Sequence, residues 1–324
     1  MVFASTYSTP TPSASLKDRC KIIFGAVFFP IQTLRWKRFI ARSAVLSDLA
    51  RMYPRMLHKI YRPYVSGHLG CRERVDALIQ HYSAVLALGM GPVLERAAVE
   101  PVILAEVFGK SGRAVQLGMR AVNVLHREGE LALELALAGE TVFTVAFSVV
   151  QDKGQAKLCL GALQGLRSGH GPEVVKMLTK ELYGWRPKSF LIACLRALGE
   201  IIGSNDIILV SNANRVAINP HRRRRISADY DRTWAELSAD FRADGNFQIP
   251  CREPAPDFST IPANKRSEMR KRLALFALVR TILKENFARI APYSGLEREE
   301  LPRTWLDQTE LIAVSSEEPF GMPV

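Results

Sequence analysis

Between Pro101 and Leu163 apolar side chains recur at every second position, and Gly-containing turns cut the run into pieces of similar length. Successive side chains of a strand point to opposite faces, so this period suits a sheet and not a helix. Val102 to Phe108 ends at Gly109-Lys110-Ser111-Gly112, and Ala114 to Met119 follows. Glu130 to Leu137 stops at Ala138-Gly139-Glu140. In Val142 to Val149, Phe143, Val145, Phe147 and Val149 share one face. After Asp152-Lys153-Gly154 comes Ala156 to Leu163. Five strands joined by short turns predict an antiparallel meander.

On either side of this block the pattern is helical. Helices are predicted near 17–29, 31–52 and 71–88, separated by Pro30, Pro54 and Pro63. In the third, Val75, Leu78, Ile79, Tyr82, Val85 and Leu86 form one apolar stripe. Past the meander, Gly165 to Gly171 breaks the pattern and Pro172 opens a helix to about Tyr183. Another runs from Pro187 to Ile202, Ile207 to Val210 reads as a short buried strand, and Ile261 to Ile290 as a long amphipathic helix. With 324 residues, 48% of them hydrophobic, the chain can bury a sizeable core. The predicted class is α+β, a mixed α/β fold whose antiparallel meander sheet is flanked by helices. Residues 1–15, rich in Ser, Thr and Pro, are expected to be disordered. Residues 16–70 read as a basic helical N-terminal extension, 71–292 as the α/β domain and 293–324 as an acidic tail.

Charge is distributed unevenly. Residues 1–74 hold 13 Lys and Arg against 3 Asp and Glu, while the whole chain carries a net +12. A basic front on a nearly neutral body attracts polyanions such as tRNA, the phosphates of CoA or anionic lipid headgroups; a solvated surface without a partner is the plain alternative. No DNA-reading motif is present, so sequence-specific DNA recognition is not expected. The five cysteines include no CxxC pair and the six histidines no ligand-like spacing, so neither a disulfide framework nor a metal site is expected. Such thiol usage points to the cytoplasm. The apolar run Ile22 to Leu34 is too short to span a bilayer. Flanked by Arg35, Trp36, Lys37 and Arg38, it suits either a helix lying at the inner membrane surface or one packed on the protein body.

Three places carry candidate chemistry. In the loop from Gln164 to Gly171, Gly165, Gly169 and Gly171 would let backbone N–H groups approach a phosphate, with Arg167 and the following helix N-terminus adding positive charge. The other reading is a flexible turn. In the segment from His221 to Asp231, Arg222, Arg224 and Arg225 belong to a run of four arginines suited to phosphate oxygens. Asp229, Tyr230 and Asp231 follow as candidate acids or bases, the two carboxylates pointing the same way if the segment is extended. A structural Arg–Asp network is the alternative. Ser211 and Asn212 follow the short buried strand, where sheets often present ligand contacts. His81 on the third helix has the side chain for a base near neutral pH, or is simply packed.

Several short runs together resemble the VirK/YbjX family of bacterial proteins. They are Leu163-Gln164-Gly165, Leu178 to Lys188 (LTKELYGWRPK) and Val210-Ser211-Asn212, then Arg222 to Asp231 (RRRRISADYD) with Trp234, Asp244 to Phe247 (DGNF) and Ile261 to Arg266 (IPANKR). Their order covers residues 75–290. The resemblance implies links to virulence, surface-protein localisation and envelope properties, without a defined reaction. By analogy of element order the predicted core is also similar to the acetyltransferase-like (GNAT) fold. The Gln164 loop departs from that fold's Gln/Arg-x-x-Gly-x-Gly/Ala pattern, its later glycines lying two residues further on. Two functions follow as expectations. One is an acyl or aminoacyl transferase using acyl-CoA or charged tRNA as donor, with no cofactor held permanently. The other is a non-enzymatic envelope-associated factor held at the inner membrane. If the basic front governs polyanion binding, deleting residues 17–74 should flatten the dependence of log K on log salt measured against tRNA.

Overall fold

The computed structural model describes residues 23–121, 125–166, 171–216, 229–253 and 256–291. Its centre is the predicted meander: β1 (Val102–Phe108), β2 (Ala114–Ala121), β3 (Leu131–Leu137), β4 (Glu140–Asp152) and β5 (Gln155–Gly165), each antiparallel to the one before. Consecutive residues Leu131 to Leu135 are all buried. A strand buried on both faces needs cover on both, which is why β3 reads as a near-continuous apolar run. β6 (Asp206–Leu209), β7 (Asp240–Phe241) and β8 (Phe247–Pro250) extend the sheet, whose spatial order is β1-β2-β3-β4-β5-β6-β8-β7. β6 is parallel to β5, and every other pairing is antiparallel.

Helices α1 (Pro30–Ala41) and α2 (Ala44–Met52), a 3-10 turn over Pro54–Tyr61, α3 (Cys71–Ala87) and α4 (Gly91–Val99) precede the sheet. The single helix expected over 31–52 is therefore two. Ser43 adopts an extended conformation and its hydroxyl accepts from the Leu46 N–H at 3.4 Å, an N-cap that starts a new helix. Residues 23–28 are helical as well, and their course breaks at Phe29, before Pro30. α5 (Gly171–Glu181) and α6 (Pro187–Ile202) form the crossover from β5 to β6, a connection that parallel strands require. α6 ends at Gly203, whose φ of 73° supplies the left-handed cap. α7 (Tyr230–Ala235) and α8 (Ala263–Ile290) complete the described elements. The short α4, α7, β7 and β8 had no clear periodic signal, being too brief for one. The segments expected to be disordered or tail-like, 1–15 and 293–324, lie outside the described residues.

One apolar core runs from Trp36 on α1 through the sheet to Phe287 on α8. The basic N-terminal stretch contributes Leu46, Leu49, Ile60 and Tyr64 to it, all fully buried. Deleting residues 17–74 would thus remove core side chains along with charge, and reversal of the exposed Lys37 and Arg38 isolates the electrostatic part.

A bulge interrupts the long β4–β5 pair: Ala146 faces Ala162 but Phe147 faces Leu160, leaving Gly161 as the extra residue. There the incoming turn crosses the sheet so closely that a β-carbon on Gly161 would coincide with the Glu128 carbonyl oxygen. Because the obstacle is backbone, it cannot rotate away. Gly161→Ala should cost about 3 kcal/mol, at the upper end of overpacking penalties, visible as a lower midpoint in urea unfolding with unchanged slope.

Candidate functional site

Parallel strands are held together only where their ladders meet, and β5 and β6 meet briefly. Leu158, Cys159 and Leu160 pair with Ile207, Ile208 and Leu209, and the Val210 N–H adds one bond to the Leu160 carbonyl at 3.0 Å. β5 then continues to Gly165 alone on this side, while the chain after Val210 turns away. The ladder ends there, at the C-terminal ends of both strands, the position where open α/β sheets place ligand contacts.

Asn212 organises the chain after β6. Its backbone N–H donates to Asp231 Oδ1 at 2.8 Å and its Nδ2 to Asp229 Oδ1 at 2.7 Å, while its Oδ1 accepts from the Tyr230 N–H at 3.0 Å. The segment Asp229–Asp231, expected to be extended, is instead the start of α7. Asp229 is its N-cap, accepting from the Arg232 N–H at 3.1 Å. That N–H and the Asn212 amide hold the Asp229 carboxyl below the usual carboxylate range, so it stays ionised. Ser211 is buried, and its hydroxyl accepts from the Asn214 N–H at 3.3 Å. Asn214 in turn donates to Asn246 Oδ1 and to the Asp244 carbonyl, joining the turn before β8 to the same cluster.

Tyr230 joins this cluster to β5. Its buried ring carries the Arg215 guanidinium 3.7 Å from the centroid. Its hydroxyl accepts from the Leu163 N–H at 2.8 Å and donates to the Leu163 carbonyl at 3.3 Å, occupying a stretch of β5 edge that has no strand neighbour among the described residues. Burial pushes the phenol pKa up, so the group is protonated across the neutral range. Trp234, one turn later, donates its indole N–H to the Val210 carbonyl at 2.9 Å.

Gln164 and Gly165, expected in the phosphate loop, are the last residues of β5, paired with Thr144 and Phe143. Gly171 is the first residue of α5 and packs against Leu166. Arg167 and Gly169 between them, and Arg222, Arg224 and Arg225, lie outside the described residues. The structure therefore brings Ser211, Asn212, Asp229, Tyr230 and Asp231 together beside Leu163, one residue from Gln164.

His81 is elsewhere. It sits on α3 with no exposed surface, its Nδ1 accepting from the Val149 N–H at 3.0 Å and its Nε2 without a partner among the described residues. Burial lowers its pKa to about 4. Beside it is a polar cluster with little sequence signal beyond a Glu at a strand start. Lys59 and Tyr82 both bond Glu130, the Glu130 N–H donates to Ser148 Oγ at 3.2 Å, and Tyr64 shares a hydrogen with the same hydroxyl. Burial opposes charge on Glu130, but Lys59, His81 and the two side-chain hydrogen bonds outweigh it, so its carboxyl lies below the usual range. No group of metal-ligating side chains occurs among the described residues.

These shifts set an acid-stability window. A histidine held near 4 when folded takes up its proton near 6.5 once unfolded, so stability is present above 6.5 and is lost as pH falls toward 4. The lowered carboxyl of Glu130 adds loss in the same direction at lower pH. Between pH 7 and pH 5 the His81 contribution is about 2 kcal/mol. His81→Gln keeps an acceptor for Val149, and its melting temperature should fall less than the wild type's over that interval.

A family model described as a protein of unknown function (DUF535) matches residues 12–285. The chain is 22% identical over 259 residues to the uncharacterized protein YbjX of Escherichia coli (strain K12), covering 78% of each. It is 26% identical over 160 residues to an uncharacterized protein of Haemophilus influenzae, 49% of this chain and 52% of that one. No solved structure matches it.

Proposed function

The chain belongs to the DUF535 family, in agreement with its VirK/YbjX-like motifs, and from that premise we propose that it is an acyl or aminoacyl transferase whose phosphate-bearing donor, acyl-CoA or charged tRNA, binds where the β5–β6 ladder ends. One observation carries this reading. Among the described strands the sheet changes from antiparallel to parallel only at β5–β6, the ladder stops after Val210, and the β5 edge beyond it bonds a side-chain hydroxyl. A donor arm lying along this edge would meet the Tyr230 hydroxyl, which already holds the Leu163 N–H and carbonyl. We read the order of elements, a meander, a helical crossover, a parallel strand and a closing antiparallel pair, as acetyltransferase-like by analogy. That likeness is architectural and supports the reading only together with the end of the β5–β6 ladder.

In this reading the acceptor's amine or hydroxyl attacks the donor carbonyl, and Tyr230, protonated and bonded at Leu163, gives its proton to the departing thiolate or ribose oxygen and regains the one the acceptor loses. Asp229 and Asp231 position Asn212 and thereby the turn after β6. The chain between Gly165 and Gly171, with Arg167 and Gly169, takes the donor phosphate, and Arg222, Arg224 and Arg225 clamp its remaining oxygens. His81 has no part at this site.

The full chain titrated with CoA and with deacylated tRNA should bind one of them. Arg224→Ala or Arg225→Ala should weaken that binding by about 1–3 kcal/mol with an unchanged melting temperature. Tyr230→Phe should spare donor affinity and slow transfer. A chain that binds neither donor, or arginine variants that melt earlier at unaltered affinity, would sink the proposal. The second reading, a non-enzymatic factor at the envelope, is favoured by the outward apolar side chains described next.

A further inference from the structure

The helical stretch that enters the fold is apolar on the side facing away from the protein. Ile23, Phe24, Val27, Phe28 and Ile31 are each more than 60% exposed, and Leu34 is 49% exposed. This is not a core face that lacks its core, because the opposite side is already docked. Gly25 lies so close to the Tyr61 ring that a β-carbon would collide with it, and Phe29 stacks on that ring with centroids 6.5 Å apart. Thr33 Oγ1 and Tyr61 Oη are 2.6 Å apart. Trp36 is fully buried and donates its indole N–H to the Met56 carbonyl at 3.1 Å. The stretch is thus fixed along one side and presents hydrocarbon on the other.

Its charge selects the occupant. No acidic residue occurs between Ile23 and Ser47, while Lys37, Arg38 and Arg42 are exposed directly after the apolar positions. A second copy seated on this surface would bring its own Lys37, Arg38 and Arg42 and no carboxylate between Ile23 and Ser47 to offset them. An anionic bilayer offers acyl chains to the phenylalanines and phosphates to the basic side chains at one depth. No single helix among the described residues is long and apolar enough to cross a membrane.

We propose that residues 23–42 form an interfacial anchor that seats the protein on an anionic lipid surface. Ile23, Phe24, Val27, Phe28, Ile31 and Leu34 enter the headgroup boundary while Lys37, Arg38 and Arg42 meet lipid phosphates. The anchor does not depend on the transfer chemistry proposed above, and its test involves no donor.

The full chain is sedimented with vesicles of phosphatidylglycerol and, separately, of phosphatidylcholine. Wild type should pellet with the first and far less with the second, and the difference should shrink with salt. Phe24→Ser with Phe28→Ser should lower the partition constant about tenfold or more on both lipids, two aromatic side chains being lost from the boundary. Lys37→Glu with Arg38→Glu should lower it about tenfold or more on phosphatidylglycerol alone. Both double variants change exposed side chains and should retain the wild-type melting temperature. Wild type that stays in the supernatant with both lipids would overturn the proposal, as would undiminished binding by the phenylalanine variant. So would sedimentation velocity showing a wild-type dimer that the phenylalanine variant converts to monomer, since the occupant would then be a second copy.

Discussion

Lys59 and Glu130 form an ion pair with almost no solvent contact, and the N-terminal third of the chain is positioned through it. Moving either charge out of water costs several kcal/mol, so the pair is tolerable only with geometry that satisfies both groups. Glu130 meets that demand with Lys59 on one oxygen and the Tyr82 hydroxyl on the other. Its own N–H bonds Ser148, which Tyr64 shares. Four separate pieces of chain, the 3-10 turn, α3, the start of β3 and the middle of β4, are thereby required to sit in one arrangement. Apolar packing alone between α3 and the sheet would permit sliding. A buried charge permits very little, because a displaced partner leaves it unpaired.

The same cluster bears on the end of the β5–β6 ladder. The turn leading to Glu130 crosses the β4–β5 bulge, where Gly161 leaves room for the Glu128 carbonyl. Past that bulge β5 has no strand neighbour on one side among the described residues, and Tyr230 bonds the backbone groups at Leu163. Bulges re-aim strands and end pairing, and here the β5–β6 ladder stops next to the bulge. Asn212 then ties α7 to the turn after β6 with three hydrogen bonds, so this junction is a polar assembly and not a packed apolar one. Such assemblies suit recognition of a polar ligand, since their groups are already oriented and need little reorganisation.

Local pattern made much of this legible. The period of two across Val102 to Leu163 led to five strands, because alternate burial is a property of neighbouring residues. The helices at 71–88 and 187–202 were equally plain, as was the basic front. Less visible were Ser43, which divides one expected helix into α1 and α2, and Asp229, whose role as a cap makes its segment helical where extension was expected. In both a side chain bonds a backbone N–H three residues ahead, and Ser and Asp serve equally well in turns and loops. Lys59 and Glu130 are 71 residues apart, and neither spacing nor composition marks them as partners.

What the sequence by itself determined was therefore the set of elements, their apolar faces and the uneven charge, all of which follow from residues within a few positions of one another. It also carried the family, through short motifs at ordered intervals. Only the tertiary structure decided that β6 lies parallel beside β5, that their ladder stops after Val210 and that Tyr230 bonds β5 at Leu163. It likewise decided which side of residues 23–34 faces Tyr61 and which faces outward. A helix apolar all round does not state its own orientation. That depends on the contacts made by Gly25, Phe29 and Thr33 with Tyr61, 28 to 36 positions away, and such pairings exist only once the chain has folded.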